Sequence, residues 1–376
     1  MTGSDKRIRV LVVDDSAFMR KVMQGIIASD STMQVVGEAG NGREAVTLAE
    51  SLRPDVISMD INMPHLDGLE ATEIIMSQNP RPIVIVSSES HEGTRGTLRA
   101  LQLGAVDFVS KPTSAINLDM NNVREELLRK IRTAAKVRVV RTATRPKSLQ
   151  AIAPLDVTRP PDSSANRPAQ AAAEGPSGER CPLVILAAST GGPAALMRLV
   201  PSLRKNLPAA VVLALHMPAN FTGQFTEQLA EASAIQVKEA QAGEVLRPGT
   251  MHVCPGSHHL RISQAGRIQL DDGPRISGYR PCADVTLESA AAWAGPMTTG
   301  VILTGMGNDG SRGVLAVKSG GGYVIAQDEA TSMIFGMPQE SIRTGTVDEV
   351  LPIEAISGAL EKRVLYLQGA LRVGVL

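Results

Sequence analysis

Three apolar runs in the second half of the chain each stop on a residue that can do chemistry. Residues 183–193 read LVILAASTGGP, so an apolar run breaks into Ser189 and two glycines. Residues 211–218 read VVLALHMP and halt at His216, and residues 300–310 read GVILTGMGNDG and end in a glycine-rich loop carrying Asp309. Continuous apolar runs of this length suit strands buried on both faces, and parallel neighbours deliver their carboxyl ends to one edge. A serine hydroxyl is a poor nucleophile until a base takes its proton, and the base needs a carboxylate to hold its tautomer. If the three strands are parallel neighbours, Ser189, His216 and Asp309 supply what nucleophilic acyl transfer requires. The amides of loop 305–310 are candidates for an oxyanion hole.

Each residue also has a plainer reading. Ser189 at a strand–turn–helix corner can simply cap the helix at 194–203. A histidine at a strand end can be a hydrogen-bonded structural residue. His258 and His259 offer other bases but fall in a turn between short strands, His252 sits within a strand, and His65 and His91 lie far upstream. Asp284 could replace Asp309, although its place at a helix start suits a cap. The order Ser, His, Asp differs from the Ser, Asp, His order of α/β-hydrolases, and residues 187–191 only approximate their G-x-S-x-G elbow. That fold is set aside while the triad chemistry is kept.

The first ~120 residues alternate strand-like and helix-like runs, the pattern of a parallel α/β sheet. Strands are expected at 8–13, 35–39, 56–59, 83–86 and 105–109, with helices at 17–27, 42–51, 69–76 and 93–103 between them. Polar residues follow the strands: Asp14 and Asp15, Asp60, Ser87 and Lys111. An Asp at one strand end can merely start a turn. Several strand ends bearing fitting groups point instead to one site. Three converging carboxylates repel unless a cation sits among them, and hard Mg²⁺ with oxygen ligands is the natural candidate.

These residues, in VVDDS, MDINMPHLDG, VSS and FVSKP, resemble the receiver domain of two-component response regulators. The resemblance implies that Asp60 accepts a phosphoryl group from a histidine kinase. It implies that Asp15 and Asp60, supported by Asp14 and completed by the Asn62 carbonyl, hold Mg²⁺. Ser87 would bond the phosphoryl oxygens, Lys111 would pair with the added charge, and Phe108 stands where the family often has a switching aromatic.

AASTGGP, HMP and TGMGNDG behind such a receiver resemble the CheB family, protein-glutamate methylesterases/protein-glutamine glutaminases of chemotaxis. The implied roles are Ser189 as nucleophile, His216 as general base and acid, Asp309 orienting His216, and the Met306 amide as oxyanion donor. The implied partners are methyl-accepting chemoreceptors, whose glutamyl methyl esters are hydrolysed and whose glutamines are deamidated. No cofactor is expected in the catalytic domain. The unphosphorylated receiver is expected to dock over the Ser189 edge. Two positions depart from the family's usual residues: Ala187 stands where Gly is usual, and Cys282 where Ser is usual.

The 376-residue length suggests two domains. The expected division is a receiver at 1–137, a Pro/Ala/Arg-rich linker at 138–180 and a catalytic domain at 181–376. The fold class is α/β: a flavodoxin-like receiver with a five-stranded parallel sheet, then a doubly wound, mostly parallel domain. A small antiparallel excursion is expected in the latter, built from short strands at 251–254, 260–262 and 268–270. Aromatics are 2% and Lys+Arg equals Asp+Glu at 38 each, which argues against nucleic acid as partner. A DNA-binding output would be compact, helical and basic, whereas this one is long and strand-rich. A silent scaffold is disfavoured because every triad candidate is present. Three scattered cysteines, no signal-peptide pattern and no long apolar run fit a cytoplasmic protein without membrane insertion.

Overall fold

Strand order places the candidate residues, because polar groups at strand ends meet only if those strands are neighbours. The structure, a computed structural model, describes residues 7–88, 90–111, 119–137 and 180–373. Residues 138–179 of the expected linker lie outside the described residues.

The first unit runs β1 (Ile8–Val13), α1 (Ala17–Ala28), β2 (Met33–Ala39), α2 (Gly42–Leu52), β3 (Val56–Met59), α3 (Gly68–Gln78), β4 (Ile83–Ser87), α4 (His91–Gln102), β5 (Asp107–Ser110) and α5 (Asp119–Ala134). Its sheet has the order β2-β1-β3-β4-β5 with every pairing parallel. Helix starts are written locally. Ser16 caps α1 by accepting from the Met19 amide, and Asp67 and Glu70 form a reciprocal capping box on α3.

The second unit runs β6 (Leu183–Ala188), α6 (Gly192–Leu199), β7 (Ala210–Leu215), α7 (Ala219–Ala232), β8 (Gln236–Glu239), β9 (Thr250–Val253), β10 (His259–Ile262), β11 (Ile268–Asp271), α8 (Ala283–Ala294), β12 (Thr298–Ile302), α9 (Ser311–Ser319), β13 (Tyr323–Gln327), α10 (Met337–Arg343), β14 (Glu349–Leu351) and α11 (Ile353–Arg372). Its sheet has the order β14-β13-β12-β6-β7-β9-β8, all parallel. Alternate residues of β6 enter different cores: Val184, Leu186 and Ala188 one, Leu183, Ile185 and Ala187 the other. This is the period-2 alternation of a strand covered on both faces.

One expectation needs correction, and two strands were missed. The strand near 251–254 is not part of an antiparallel excursion. As β9 it lies in the main sheet, parallel to both β7 and β8, and only β10 and β11 pair antiparallel. A four-residue apolar run between Gly/Pro turns carries no signal of direction. The edge strands β8 and β14 were not expected, because QVKE and EVL are too short and polar to show a buried-strand pattern.

The two units share one apolar cluster. It joins Leu11, Val13, Leu98 and Phe108 of the first to Leu196, Phe221 and Phe225 of the second. Helix α4 packs against α6 and α7. The Phe108 and Phe221 rings stand 4.3 Å apart at 39°.

Gly68 shows how tightly the first unit's edge is built. A Cβ there would lie 1.9 Å from the Asp60 carbonyl oxygen and 2.8 Å from Ile61 Cα. Replacing Gly68 by Ala is expected to lower unfolding free energy in denaturant titration by about 1–3 kcal/mol, the usual cost of overpacking against backbone. An unchanged midpoint would refute this.

Candidate active site

Strands β12, β6 and β7 are adjacent and parallel, so Ser189, the loop after β12 and His216 emerge at one edge. The Ser189 amide donates to the Thr304 carbonyl at 3.1 Å, and the Gly192 amide closes a tight turn on the Ser189 carbonyl at 2.7 Å. Gly191 takes φ 78°, and a Cβ there would come within 2.6 Å of Met333 Cβ. The second glycine is needed for contact, since a Cβ at Gly192 would lie 2.8 Å from Ala188 Cβ. Ala187 is fully buried and its methyl belongs to the core cluster that also holds Leu183 and Ile185.

Asp309 is buried and held from several sides. One oxygen meets His216 Nε2 at 2.7 Å and accepts the Ala283 amide at 2.7 Å. The other accepts the amides of Asp284 and Gly310, each at 3.0 Å, and the Cys282 thiol at 3.1 Å. Ala283 and Asp284 open α8, so a carboxylate sits at a helix N-terminus, where free N–H groups and the helix dipole favour negative charge. Burial alone would push the Asp309 carboxyl up, but the His216 contact and the amide donors outweigh it and hold it down to about 2. Asp309 therefore stays ionised at neutral pH.

Because His216 gives Nε2 to Asp309, its Nδ1 is the nitrogen left for another partner, and Nδ1 is buried with no hydrogen bond. The ring is thus turned end for end relative to chymotrypsin-type triads, where Nδ1 faces the aspartate. Among the described residues no hydrogen bond joins Ser189 Oγ to His216. Such bonds are commonly long before substrate binds. The Tyr279 ring stacks on the imidazole, centroids 4.1 Å apart at 13°.

The loop from Thr304 to Gly310 is braced against Ser189. Thr304 donates its hydroxyl to the Thr190 carbonyl at 3.0 Å and its amide to Gln327 at 2.8 Å. A Cβ at Gly305 would lie 2.8 Å from Ser189 Cβ. The Met306 amide donates to no group among the described residues, and Met306 as a residue is half-buried. The other candidates are committed elsewhere. His258 bonds Ser257, His259 bonds the Pro274 carbonyl, and His252 is buried beside Glu244, with burial lowering it to about 4. Asp284 bonds Arg312 and the Gly313 amide.

At the carboxyl edge of the first sheet, oxygens of Asp14, Asp15 and Asp60 lie within 4.8 Å of one another. Asp14 and Asp60 are buried and Asp15 is exposed. Lys111 Nζ bridges Asp14 and Asp60 at 2.8 Å each. Burial raises the Asp60 carboxyl, with Lys111 opposing. Burial acts against the charged Lys111 amine, but the two carboxylates prevail and raise it. One ammonium against three carboxylates leaves negative charge uncompensated, so a hard divalent cation fits this donor set. Ser87 is buried, with its hydroxyl on the Gly93 carbonyl at 3.2 Å, and Asn62 is exposed in the loop after β3.

The two edges are joined by residues that sequence reasoning did not single out. Asp107, the first residue of β5, receives the Thr190 hydroxyl at 2.5 Å and the buried Lys130 ammonium at 3.1 Å. Lys130 also bonds Glu126 at 2.8 Å and the Phe108 carbonyl at 2.5 Å, and lies 4.9 Å from the Phe108 ring centroid. Arg129 and Thr133 of α5 reach the Met306 sulfur. The first unit thus covers the neighbour of Ser189 and the residue that holds the free amide. The available signals were an Asp inside the apolar run AVDFV, and Tyr279 as one of only three tyrosines.

Comparison with known proteins agrees along the whole chain. A family described as CheB methylesterase matches residues 184–360, and one described as response regulator receiver domain matches residues 10–121. The chain is 41% identical to the protein-glutamate methylesterase/protein-glutamine glutaminase of Pyrococcus abyssi, over 100% of this chain and 98% of that protein. It is 43% identical to the Thermotoga maritima protein of the same name, over 93% and 96%. Of solved structures, the catalytic domain of T. maritima CheB methylesterase is similar at 42% identity and TM-score 0.47, covering 50% of this chain and 98% of its own. The response regulator domain of T. maritima CheB is similar at 53% identity and TM-score 0.33, covering 35% and 99%.

Cys181, Cys254 and Cys282 are all buried and unpaired, and burial raises each thiol, Cys282 to about 12 with the Asp309 charge adding to it. The thiolate is the reactive form. A chromogenic disulfide reagent at pH 8 is therefore expected to find no fast-reacting thiol in the native protein and three after denaturation. A rapid native reaction at Cys282 would contradict the contact with Asp309.

Proposed function

The chain belongs to the CheB family of protein-glutamate methylesterases/protein-glutamine glutaminases, and from that membership we propose that Ser189, His216 and Asp309 carry its hydrolase activity. The observation that carries the assignment is the buried Asp309 carboxylate, fixed at the start of α8 and bonded to His216 at 2.7 Å beside Ser189. The substrates are γ-methyl glutamyl esters, and certain glutamines, on the cytoplasmic helices of chemoreceptors. Residues 1–137 form the receiver, 138–180 the linker and 181–376 the catalytic domain. Among the described residues no helix is long and apolar enough to cross a membrane. A cytoplasmic protein acting on receptor helices fits that.

In the reaction, Ser189 Oγ attacks the ester carbonyl carbon while its proton passes to His216 Nδ1. The negative oxygen of the tetrahedral intermediate receives the Met306 N–H; one such donor contributes on the order of 10²–10³ in rate. Asp309 stays ionised and stabilises the imidazolium. His216 returns the proton to the departing methoxide, and methanol leaves an acyl-enzyme. Water attacks the acyl carbon by the same route in reverse, releasing glutamate and free Ser189. A glutamine side chain follows the same steps, with ammonia as the leaving group.

Control comes from the receiver. A histidine kinase supplies the phosphoryl group to Asp60. Asp14, Asp15 and Asp60, with the Asn62 carbonyl, would hold Mg²⁺, which offsets the charge of the incoming phosphoryl group. Phosphorylation adds charge beside Lys111, and Ser87 is poised to bond the new oxygens. Lys111 follows β5 directly, and that four-residue strand also carries Asp107 and Phe108, the contacts to Thr190 and Phe221. Pulling Lys111 toward new charge biases those contacts, and the covered and open arrangements shift in population.

Three measurements of methanol release from methyl-labelled receptor membranes test this reading. Replacing Ser189 by Ala should reduce turnover by about 10³-fold or more; retained turnover would defeat the nucleophile assignment. Replacing Asp60 by Asn should leave basal release intact and remove the response to a phosphodonor. Replacing Asp107 by Asn should raise release from the unphosphorylated protein by about tenfold, because a hydrogen bond to a charged group is worth about 1.5–3 kcal/mol. Unchanged basal release would show that Asp107 does not hold the receiver in place.

A further inference from the structure

One strap, residues 276–284, touches His216, Asp309 and the loop that carries Met306. Ile276 and Tyr279 exchange both backbone hydrogen bonds, at 3.0 and 2.9 Å. The two residues between them, Ser277 and Gly278, have φ of 52° and 86°. Positive φ at both central positions makes this a type I′ hairpin turn, in which the flanking residues are fixed opposite each other. Tyr279 therefore has a defined direction, flat against the His216 ring at 4.1 Å. Its hydroxyl donates to the Met306 carbonyl at 3.4 Å. The same oxygen lies over Gly307, where a Cβ would come within 2.4 Å of it. A few residues on, the strap supplies the Cys282 thiol and the Ala283 and Asp284 amides to Asp309.

The His216 ring has one hydrogen bond, at Nε2, and none at Nδ1. A single bond fixes the position of one ring atom but not the tilt of the ring, and the outer torsion of a histidine side chain is broad. The Nδ1 lone pair must nonetheless point at the serine hydroxyl for proton transfer. A flat aromatic face on the imidazole restricts that tilt, and its π-electrons tolerate the imidazolium formed during reaction. The hydroxyl contact to the Met306 carbonyl bears on the same peptide segment that presents the Met306 amide. We infer that Tyr279 is a positioning residue for the hydrolysis: its ring sets the plane of His216, and its hydroxyl steadies the oxyanion loop. This rests on the reading of His216 as the base.

The test uses the full-length, phosphorylated protein with methyl-labelled receptor membranes, comparing the wild type with Tyr279→Leu, Tyr279→Phe and Ser189→Ala. Tyr279→Leu removes the aromatic face and is expected to lower kcat by about tenfold or more with KM within about twofold, since a small misplacement of reacting groups costs rate rather than binding. Tyr279→Phe keeps the face and is expected to restore kcat to within about threefold of wild type, the residue of a lost hydrogen bond. Tyr279 is half-buried on a surface turn; should the leucine variant fail to fold, Tyr279→Gln takes its place under the same criteria. The inference is overturned if the non-aromatic variant keeps kcat within about twofold, if only KM rises, or if Tyr279→Phe is as impaired as Tyr279→Leu. Ser189→Ala separates the two readings: if it stays active, the triad fails; if it is inactive while Tyr279→Leu is normal, only the positioning role fails.

Discussion

A carboxylate buried beside a histidine is costly unless its charge is met on all sides, and this constraint at Asp309 shapes the catalytic half of the molecule. Removing such a charge from water without partners costs several kcal/mol. Here the compensation comes from places far apart in sequence: His216 after β7, the first amides of α8, the Gly310 amide and the Cys282 thiol. Each donor fixes an element. Helix α8 must start beside the loop after β12, and the strap before it must run over the site. The outcome is a carboxylate held down to about 2 despite its burial. At neutral pH it is ionised and accepts only.

A second buried charge governs how the two halves meet. Lys130 is buried between Asp107, Glu126 and the Phe108 carbonyl, where burial opposes its charge and the two carboxylates prevail in raising it. Asp107 uses its remaining oxygen on the Thr190 hydroxyl. An arrangement of this kind contributes little net stability but is expensive to break halfway, since either partner left alone is a bare buried charge. That suits a contact with two discrete states. The apolar contact between Phe108 and Phe221 alongside it is less directional and tolerates sliding.

Both units solve one geometric problem in the same way. A parallel sheet covered on both faces leaves its carboxyl edge as the place where polar groups of several strands converge without disturbing the core. In the first unit that edge gathers Asp14, Asp60 and Lys111, and in the second Ser189, His216 and Asp309. Strand β5 lies close to both, with Lys111 just past its end and Asp107 at its start. A charge change at one edge therefore has a short covalent path to the other.

The chain's own residues determined much of this. Strands β6, β7 and β12 were legible because strands buried on both faces are unbroken apolar runs, and Ser189 and His216 were legible because such a run ends abruptly at each. The receiver-like edge was legible because Asp, Ser and Lys stand at the ends of β1, β3, β4 and β5. The edge strands β8 and β14 were not, because a short strand paired on one side needs no apolar pattern. The direction of β9 was not, because direction is a property of its neighbours β7 and β8. Tertiary structure alone decided that His216 turns Nε2 to Asp309 and leaves Nδ1 unpaired, that Tyr279 covers its face, and that Asp107 reaches Thr190. These are contacts between side chains remote in sequence. Each depends on distances of a few ångströms set by packing, which residue type and spacing do not encode locally.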